Sequence, residues 1–278
     1  MNELNSKILN EINSKGFSKI EGFFDENEIE KIENKLNFIK KDKIRKGAKI
    51  SFFPVTIKNY LANILKFKFK SITTGLSMKR FSETYSFKLI ADQFFKQDTN
   101  LVTMDSYFSP KSTEKIIDWH ADIPMALSKN PENFSKWQRS LKFFVYLTDV
   151  QSDNGCLAVL PLSNKINKAI TNLILKKKVK VDKLTKLTEV REALQNNKDL
   201  RLFLEEDKSV GKHNIEKFLD YSSFTQNNGD TSVFDLPLKK GGLIIFDEFC
   251  FHRGGPPINS DRVVMRFFYR PKKKINDF

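Results

Sequence analysis

The chain has 278 residues, 40% of them hydrophobic and 12% aromatic, including 26 phenylalanines, which is ample material for a packed core and excludes a disordered chain. No run approaches the roughly 20 apolar residues of a membrane span, and the polar start MNELNSKILNEINSKG lacks the apolar stretch of a secretory signal, so a cytoplasmic protein without a transmembrane segment is expected. The formal charge of +14 is spread as lysine along the whole chain, as in the residue bias of an A/T-rich genome, and no aromatic-interleaved basic motif accompanies it. That argues against a nucleic-acid partner and leaves a small-molecule or carrier-bound substrate, anionic if the charge is functional.

Residues 3 to 14 read as a helix, followed after Gly16 by a short extended segment, FSKIEGFF. A second helix begins at Asp25, where Asp25 and Glu28 have capping-box spacing and Ile29, Ile32, Leu36 and Ile39 recur at helical period. Residues 57 to 70 and 82 to 96 carry mixed apolar and basic patterns that predict two further helices.

From residue 100 the pattern changes to short, β-branched and aromatic runs separated by turn residues: LVTMDSYF, KIIDWHAD, SLKFFVYLTDV, CLAVLPL, TSVFDLPL, GGLIIFDEF and RVVMRFFYR. A β domain of many short strands is expected. Residues 163 to 230 interrupt it with a lysine-rich, leucine-periodic stretch of good helix formers, which reads as a helical insertion and a candidate lid. With no repeat and no low-complexity linker, the expectation is one domain over residues 1 to 278, mainly β with helical flanks. Cys156 and Cys250 each sit in an apolar run, as buried free thiols do.

The chemistry concentrates on few residues. In WHAD, His120 and Asp122 stand at i and i+2, so on a strand both side chains leave one face and can grip one ion. His252 follows the apolar strand GGLIIFDEF and precedes the turn GGPP. Two imidazoles and a carboxylate on one face of an octahedral ion leave the opposite face for an oxoacid and O2, although zinc would accept the same ligands. Arg262 lies ten positions beyond His252, and alternation along RVVMRFFYR puts Arg262, Val264, Arg266 and Phe268 on one face. An arginine pointing into a β cavity needs an anion, and its fork suits a carboxylate. A salt bridge at the sheet rim is the plainer reading for Arg266. Asp247 and Glu248 read as a polar strand end at the cavity mouth, Trp119 as packing on the face opposite His120, and His213 as a solvated helix residue. Tyr107, Phe144 and Tyr146 alternate as interior residues of a barrel, and the runs Lys176 to Lys178 and Lys272 to Lys274 read as solvated surface.

These segments together resemble the phytanoyl-CoA dioxygenase family over most of the chain: WHAD, then YLTDVQSDNGCLAVLP, then KKGGLIIFDEFCFHRGGPPINSDR, with GFSKIEGFFDENEIEKI near the start. The resemblance implies a double-stranded β-helix (jelly roll), Fe(II) held by His120, Asp122 and His252, 2-oxoglutarate as cosubstrate anchored by Arg262, and O2 as oxidant. It also carries Thr103, on the strand TMDSYF, to a position near the metal-proximal end of the cosubstrate. Related halogenases replace the carboxylate ligand by a small residue, so Asp122 implies hydroxylation or desaturation rather than chlorination. One departure is Pro161-Leu162-Ser163-Asn164, where the family often has Pro-Gly-Ser-His.

Other classes use similar parts. A metal-dependent hydrolase or isomerase on a cupin-like barrel would take the same three ligands, but it gives Arg262 no purpose. A non-catalytic binding protein that kept the fold would be expected to have lost ligands, and all three are present. A nucleic-acid oxygenase usually carries a paired-arginine signature with an intervening Asn, which RVVMR does not match.

Overall fold

The computed structural model describes residues 3–41, 48–53, 69–112, 117–123, 139–152, 154–179, 184, 186–227 and 233–272. Helix α1 (Glu3–Lys15) buries Ile8 and Ile12, strand β1 is Phe17–Ile20, and helix α2 (Glu26–Lys41) buries Ile29, Ile32 and Leu36. The Asp25 carboxylate accepts the Glu28 N–H at 3.1 Å, so the capping signal read at this position is used as a cap.

Strand β2 (Ala48–Phe53) was not anticipated; its short AKISFF run is held in place by pairing with β3. Most of the helix expected over 57 to 70 lies outside the described residues. The helix expected over 82 to 96 is broken where Ser86 adopts φ +56°: its first residues end α3 (Phe69–Thr84), most of which was not anticipated, and the rest form α4 (Phe87–Phe95).

The β region follows as β3 (Thr99–Ser109), β4 (Ile117–His120), β5 (Leu141–Tyr146), β6 (Leu157–Val159), β7 (Asp235–Leu236), β8 (Leu243–Asp247), β9 (His252–Gly254) and β10 (Arg262–Pro271). Between β6 and β7 the described residues form four helices: α5 (Ser163–Leu175), α6 (Leu187–Asn196), α7 (Lys198–Glu206) and α8 (Gly211–Asn227). All strand pairs are antiparallel. They form a larger sheet in the order β1-β8-β5-β10-β3-β2 and a smaller one in the order β4-β9-β6-β7.

Alternation assigns each face of the larger sheet. Met104, Phe108, Phe143, Val145, Val263, Met265 and Phe267 pack outward against α1 to α4, where Phe87 stacks on Phe143 with ring centroids 4.6 Å apart. The opposite face contributes Tyr146, Ile244, Phe246 and Val264 to a core shared with Leu157, Val159 and Leu236 of the smaller sheet, so the two sheets pack face to face.

The insertion makes a third core. Ile166, Ile170, Val190, Leu194, Leu204, Ile215 and Phe218 of α5 to α8 pack on Trp119, Ala121, Ala158, Leu160 and Phe251, residues of the smaller sheet and its strand ends. Trp119 thus faces away from its neighbour His120, as alternation required. The helices back the smaller sheet, and the insertion approaches the site along the β4 edge, where the backbone of Lys186 bridges to His120. Among the described residues no helix is long and apolar enough to cross a membrane.

Candidate metal centre

His120 ends β4 and His252 begins β9, and the two residues face each other across the ladder between these strands. Their rings lie 4.4 Å apart between centroids. The Nδ1 of His120 is 2.7 Å from the carbonyl oxygen of Asp118, and that of His252 is 2.9 Å from the carbonyl oxygen of Cys250. A carbonyl can only accept, so each Nδ1 carries a proton, and in the neutral ring Nε2 is left with its lone pair.

Those Nε2 atoms converge on Asp122, at 3.5 Å from Oδ1 for His120 and 3.7 Å from Oδ2 for His252. One ligand atom from each of the three residues lies within 4.8 Å of the other two, a span that one ion can bridge. Burial lowers the His252 imidazole to about 3, so it is neutral and available as a donor. Burial acts to raise the Asp122 carboxyl, but the Lys142 ammonium outweighs it and holds the group well below the usual carboxylate range. The set is therefore two lone-pair nitrogens and an ionised carboxylate, which fits a divalent cation.

Arg262 opens β10 and is 7% exposed. Its Nη1 donates to the Gly155 carbonyl at 2.5 Å and its Nη2 to the Ser109 hydroxyl at 2.9 Å, while its Nε–H has no hydrogen-bond partner. Among the described residues no carboxylate pairs with it. Burial pulls this guanidinium below its ordinary range, the expected result where a cation is enclosed without a counter-charge. The guanidinium stands beside Gly254, two residues past His252: a Cβ there would sit 3.7 Å from Nη1. Arg266, on the same face, is already neutralised, with Nε and Nη2 at 2.7 and 3.0 Å from the two oxygens of Asp105. Its guanidinium also lies over the rings of Tyr107 and Phe144, two of the expected interior aromatics.

Thr103 is half-buried on β3, opposite Phe268, and alternates with Asp105, so it lies on the face of the larger sheet that carries Arg266 and Lys142. Asp247 ends β8 and Glu248 follows it, as the reading of a polar strand end had it. Both are buried, Asp247 against Arg139 and the Asn164 amide, and Glu248 accepting the Ser140 N–H at 2.8 Å. His213 is exposed on α8, away from the triad. Lys176, Lys177 and Lys178 are exposed after α5, whereas Lys273 and Lys274 lie outside the described residues.

Two features were missed at the level of sequence. Gly155 adopts φ +78°, and a Cβ there would meet Arg262 Cδ and Pro257 Cβ at 3.3 Å each, so the NG of NGCL is the seat of the arginine. Asn154 secures the same corner by accepting the Asn259 N–H at 2.8 Å and donating to the Ser260 hydroxyl at 2.8 Å. Lys142 is the other. It is a buried lysine in the apolar strand LKFFVYL, and its alternation with Phe144 and Tyr146 already marked it as inward-facing.

Two face-packed antiparallel sheets carrying a His-Asp-His cluster that could hold one ion define a β sandwich with a candidate metal site. The phytanoyl-CoA dioxygenase (PhyH) family pattern matches residues 12–264, and the chain belongs to that family. No curated protein sequence is significantly similar to it. Among solved structures, the chain is similar to the epimerase SnoN in complex with Fe3+, alpha ketoglutarate and nogalamycin RO (12% identity, 96% of this chain and 84% of that one, TM-score 0.52). It is likewise similar to EvdO2 from Micromonospora carbonacea var. aurantiaca complexed with 2-oxoglutarate (13%, 97% and 92%, 0.51). A third is the alpha ketoglutarate dependent carbocyclase SnoK from nogalamycin biosynthesis (10%, 98% and 87%, 0.51). At these identities the likeness is one of fold.

Proposed function

We propose that the chain is an Fe(II)- and 2-oxoglutarate-dependent oxygenase that hydroxylates a small or carrier-bound metabolite, releasing succinate and CO2. The observation that carries this reading is the pairing of the His120, Asp122 and His252 cluster with a buried arginine that has no carboxylate of its own among the described residues. A zinc or manganese hydrolase would need the cluster alone. A cosubstrate with one end on the metal and a carboxylate at the other would need both, and Gly254 puts Arg262 close to His252 along β9.

The strand order supports a double-stranded β-helix. β3-β10-β5-β8 in one sheet lies over β4-β9-β6-β7 in the other, the interleaving of a jelly roll, with β1 and β2 added at the edges of the larger sheet. Residues 1 to 278 then form one domain, and the insertion's contribution to a lid falls to its edge near Lys186, which runs beside His120.

Each side chain has a role in this reading. His120 and His252 present fixed Nε2 lone pairs, Asp122 supplies the anionic ligand, and Arg262 binds the distal carboxylate of 2-oxoglutarate through the Nε–H it leaves unpaired. Thr103 offers a hydroxyl from the inner face of the larger sheet, in the row of β3, β10 and β5 that also holds Phe268 and Lys142. Bound iron would supply the redox chemistry, the activation of O2 at the expense of 2-oxoglutarate. Because Asp122 occupies the position that a halide would need, the reaction is hydroxylation or desaturation rather than chlorination.

Anaerobic reconstitution with Fe(II), followed by O2- and 2-oxoglutarate-dependent succinate formation, tests the proposal. Turnover in the wild type that is lost in Asp122→Ala supports it. Absence of succinate in the wild type, or equal succinate in Asp122→Ala, removes it.

A further inference from the structure

The centre contains a cation that neither the ligand set nor the cosubstrate anchor requires. Lys142 on β5 is 3% exposed, and its ammonium touches Asp122 Oδ2 directly while standing 3.4 Å from Glu248 Oε1. It rests over the rings of Phe268 and Phe246, with centroids at 4.8 and 5.7 Å, so two aromatic rings of the larger sheet help to fix its position. Glu248 is held from its other side by the Ser140 N–H. Lys142 thus stands between two carboxylates, the candidate ligand Asp122 and the buried Glu248. The two oxygens of Asp122 differ accordingly: Oδ2 is engaged by Lys142, and Oδ1 is left beside His120 Nε2.

We propose that Lys142 is a positioning residue that sets the number of protein donors on the metal, holding Asp122 to one coordinating oxygen and keeping Glu248 off the ion. The inference rests on the metal-centre reading above. The physics is a competition for carboxylate oxygens. A divalent ion between two histidines and a free carboxylate gains by chelation, and a second buried carboxylate nearby would be drawn in, since an unpaired charge in such a site is costly. Either event would use up a position that the oxoacid or O2 must take. A buried ammonium already bound to both carboxylates prevents both events and lowers the net negative charge at the ion.

Mn(II) serves as the probe, because water-proton relaxation of its protein complex reports both the dissociation constant and the number of exchangeable waters. In the wild type about three waters are expected, the six positions of an octahedral ion less three protein ligands. Lys142→Met is expected to bind Mn(II) at least about tenfold more tightly, having lost a positive charge beside the ion, and to keep about two waters or fewer. Circular dichroism establishes that the variant is folded. The double variant Lys142→Met with Glu248→Gln removes both buried charges, and with Asp122 free to chelate it is expected to keep about two waters. Glu248→Gln alone leaves Lys142 on Asp122 and is expected to match the wild-type count.

Wild-type affinity and water number in both Lys142 variants would overturn the inference. So would a loss of 2-oxoglutarate binding in Lys142→Met with the water number unchanged, which would make the lysine an anion anchor instead. Failure of the wild type to bind Mn(II) at all would instead overturn the metal-centre reading, and the inference with it.

Discussion

Arg262 and Ser109 stand directly opposite each other across the β10 and β3 ladder, and the arginine donates Nη2 to the serine hydroxyl at 2.9 Å. With the Gly155 carbonyl on Nη1, this hydrogen bond fixes the guanidinium plane, while the Nε–H stays open. Removing the charge should therefore cost binding of an anion rather than of the metal. Arg262→Met is expected to weaken 2-oxoglutarate binding by roughly 30- to 1,000-fold, the range for truncating one partner of a buried charge pair, with Fe(II) affinity little changed. Ser109→Ala should cost only about tenfold, the worth of one hydrogen bond. Calorimetric titration of 2-oxoglutarate into the anaerobic Fe(II) protein measures both, and comparable binding in wild type and Arg262→Met would reassign the anchor.

His252 lies in the smaller sheet and Asp122 just beyond its edge strand β4, so either can be removed without opening the helical core packed against α1 to α4. His252→Ala and Asp122→Ala are each expected to lower Fe(II) affinity by at least about tenfold, the lower end of the loss seen when even a group that only orients a metal ligand is removed. Equilibrium dialysis gives the constants. Retained affinity in both variants would move the metal elsewhere.

Leu162 occupies the place where the family often has glycine, and it adopts φ +67° while its N–H donates to the Lys15 carbonyl at 3.0 Å. A β-carbon in that left-handed conformation is strained. Leu162→Gly is expected to stabilise the protein by about 0.5 to 1 kcal/mol in urea unfolding, because the side chain is only half-buried. The neighbouring Ser163 behaves oppositely: its hydroxyl donates to the Leu160 carbonyl at 2.6 Å and accepts the Phe251 N–H at 2.9 Å. Ser163→Ala should cost about 1 to 3 kcal/mol by leaving those backbone groups unpaired.

Burial raises the Cys156 thiol from 9.0 to about 12. The unfolded thiol gives up its proton near pH 9 and the native one only near pH 12, so this group's contribution to stability is complete below pH 9 and is lost as the pH rises between the two values. In the native protein at pH 8 neither Cys156 nor Cys250, which is fully buried, should be alkylated by iodoacetamide, and both should react after denaturation. Mass spectrometry of the labelled protein decides it, and rapid native labelling would contradict the packing around β6 and β8.

The residues of the centre were legible in the sequence because short-range rules govern them. His120 and Asp122 share WHAD, His252 ends an apolar run, and Arg262 alternates with Val264, so local geometry gave each side chain its face. Helix α2 was legible for the same reason: its cap and its apolar period are local. Strand β2 and the break at Ser86 were not, since one depends on a partner strand far along the chain and the other on a backbone angle.

What the sequence determined by itself was the inventory of donors and their order along the chain. Tertiary structure alone decided how they meet: that Arg262 is buried with no carboxylate among the described residues while Arg266 is neutralised by Asp105, and that Lys142 comes to rest between Asp122 and Glu248. The reason is electrostatic. A charge in a low-dielectric interior is defined by the partner it finds, and these partners stand as far as 161 residues away in the chain.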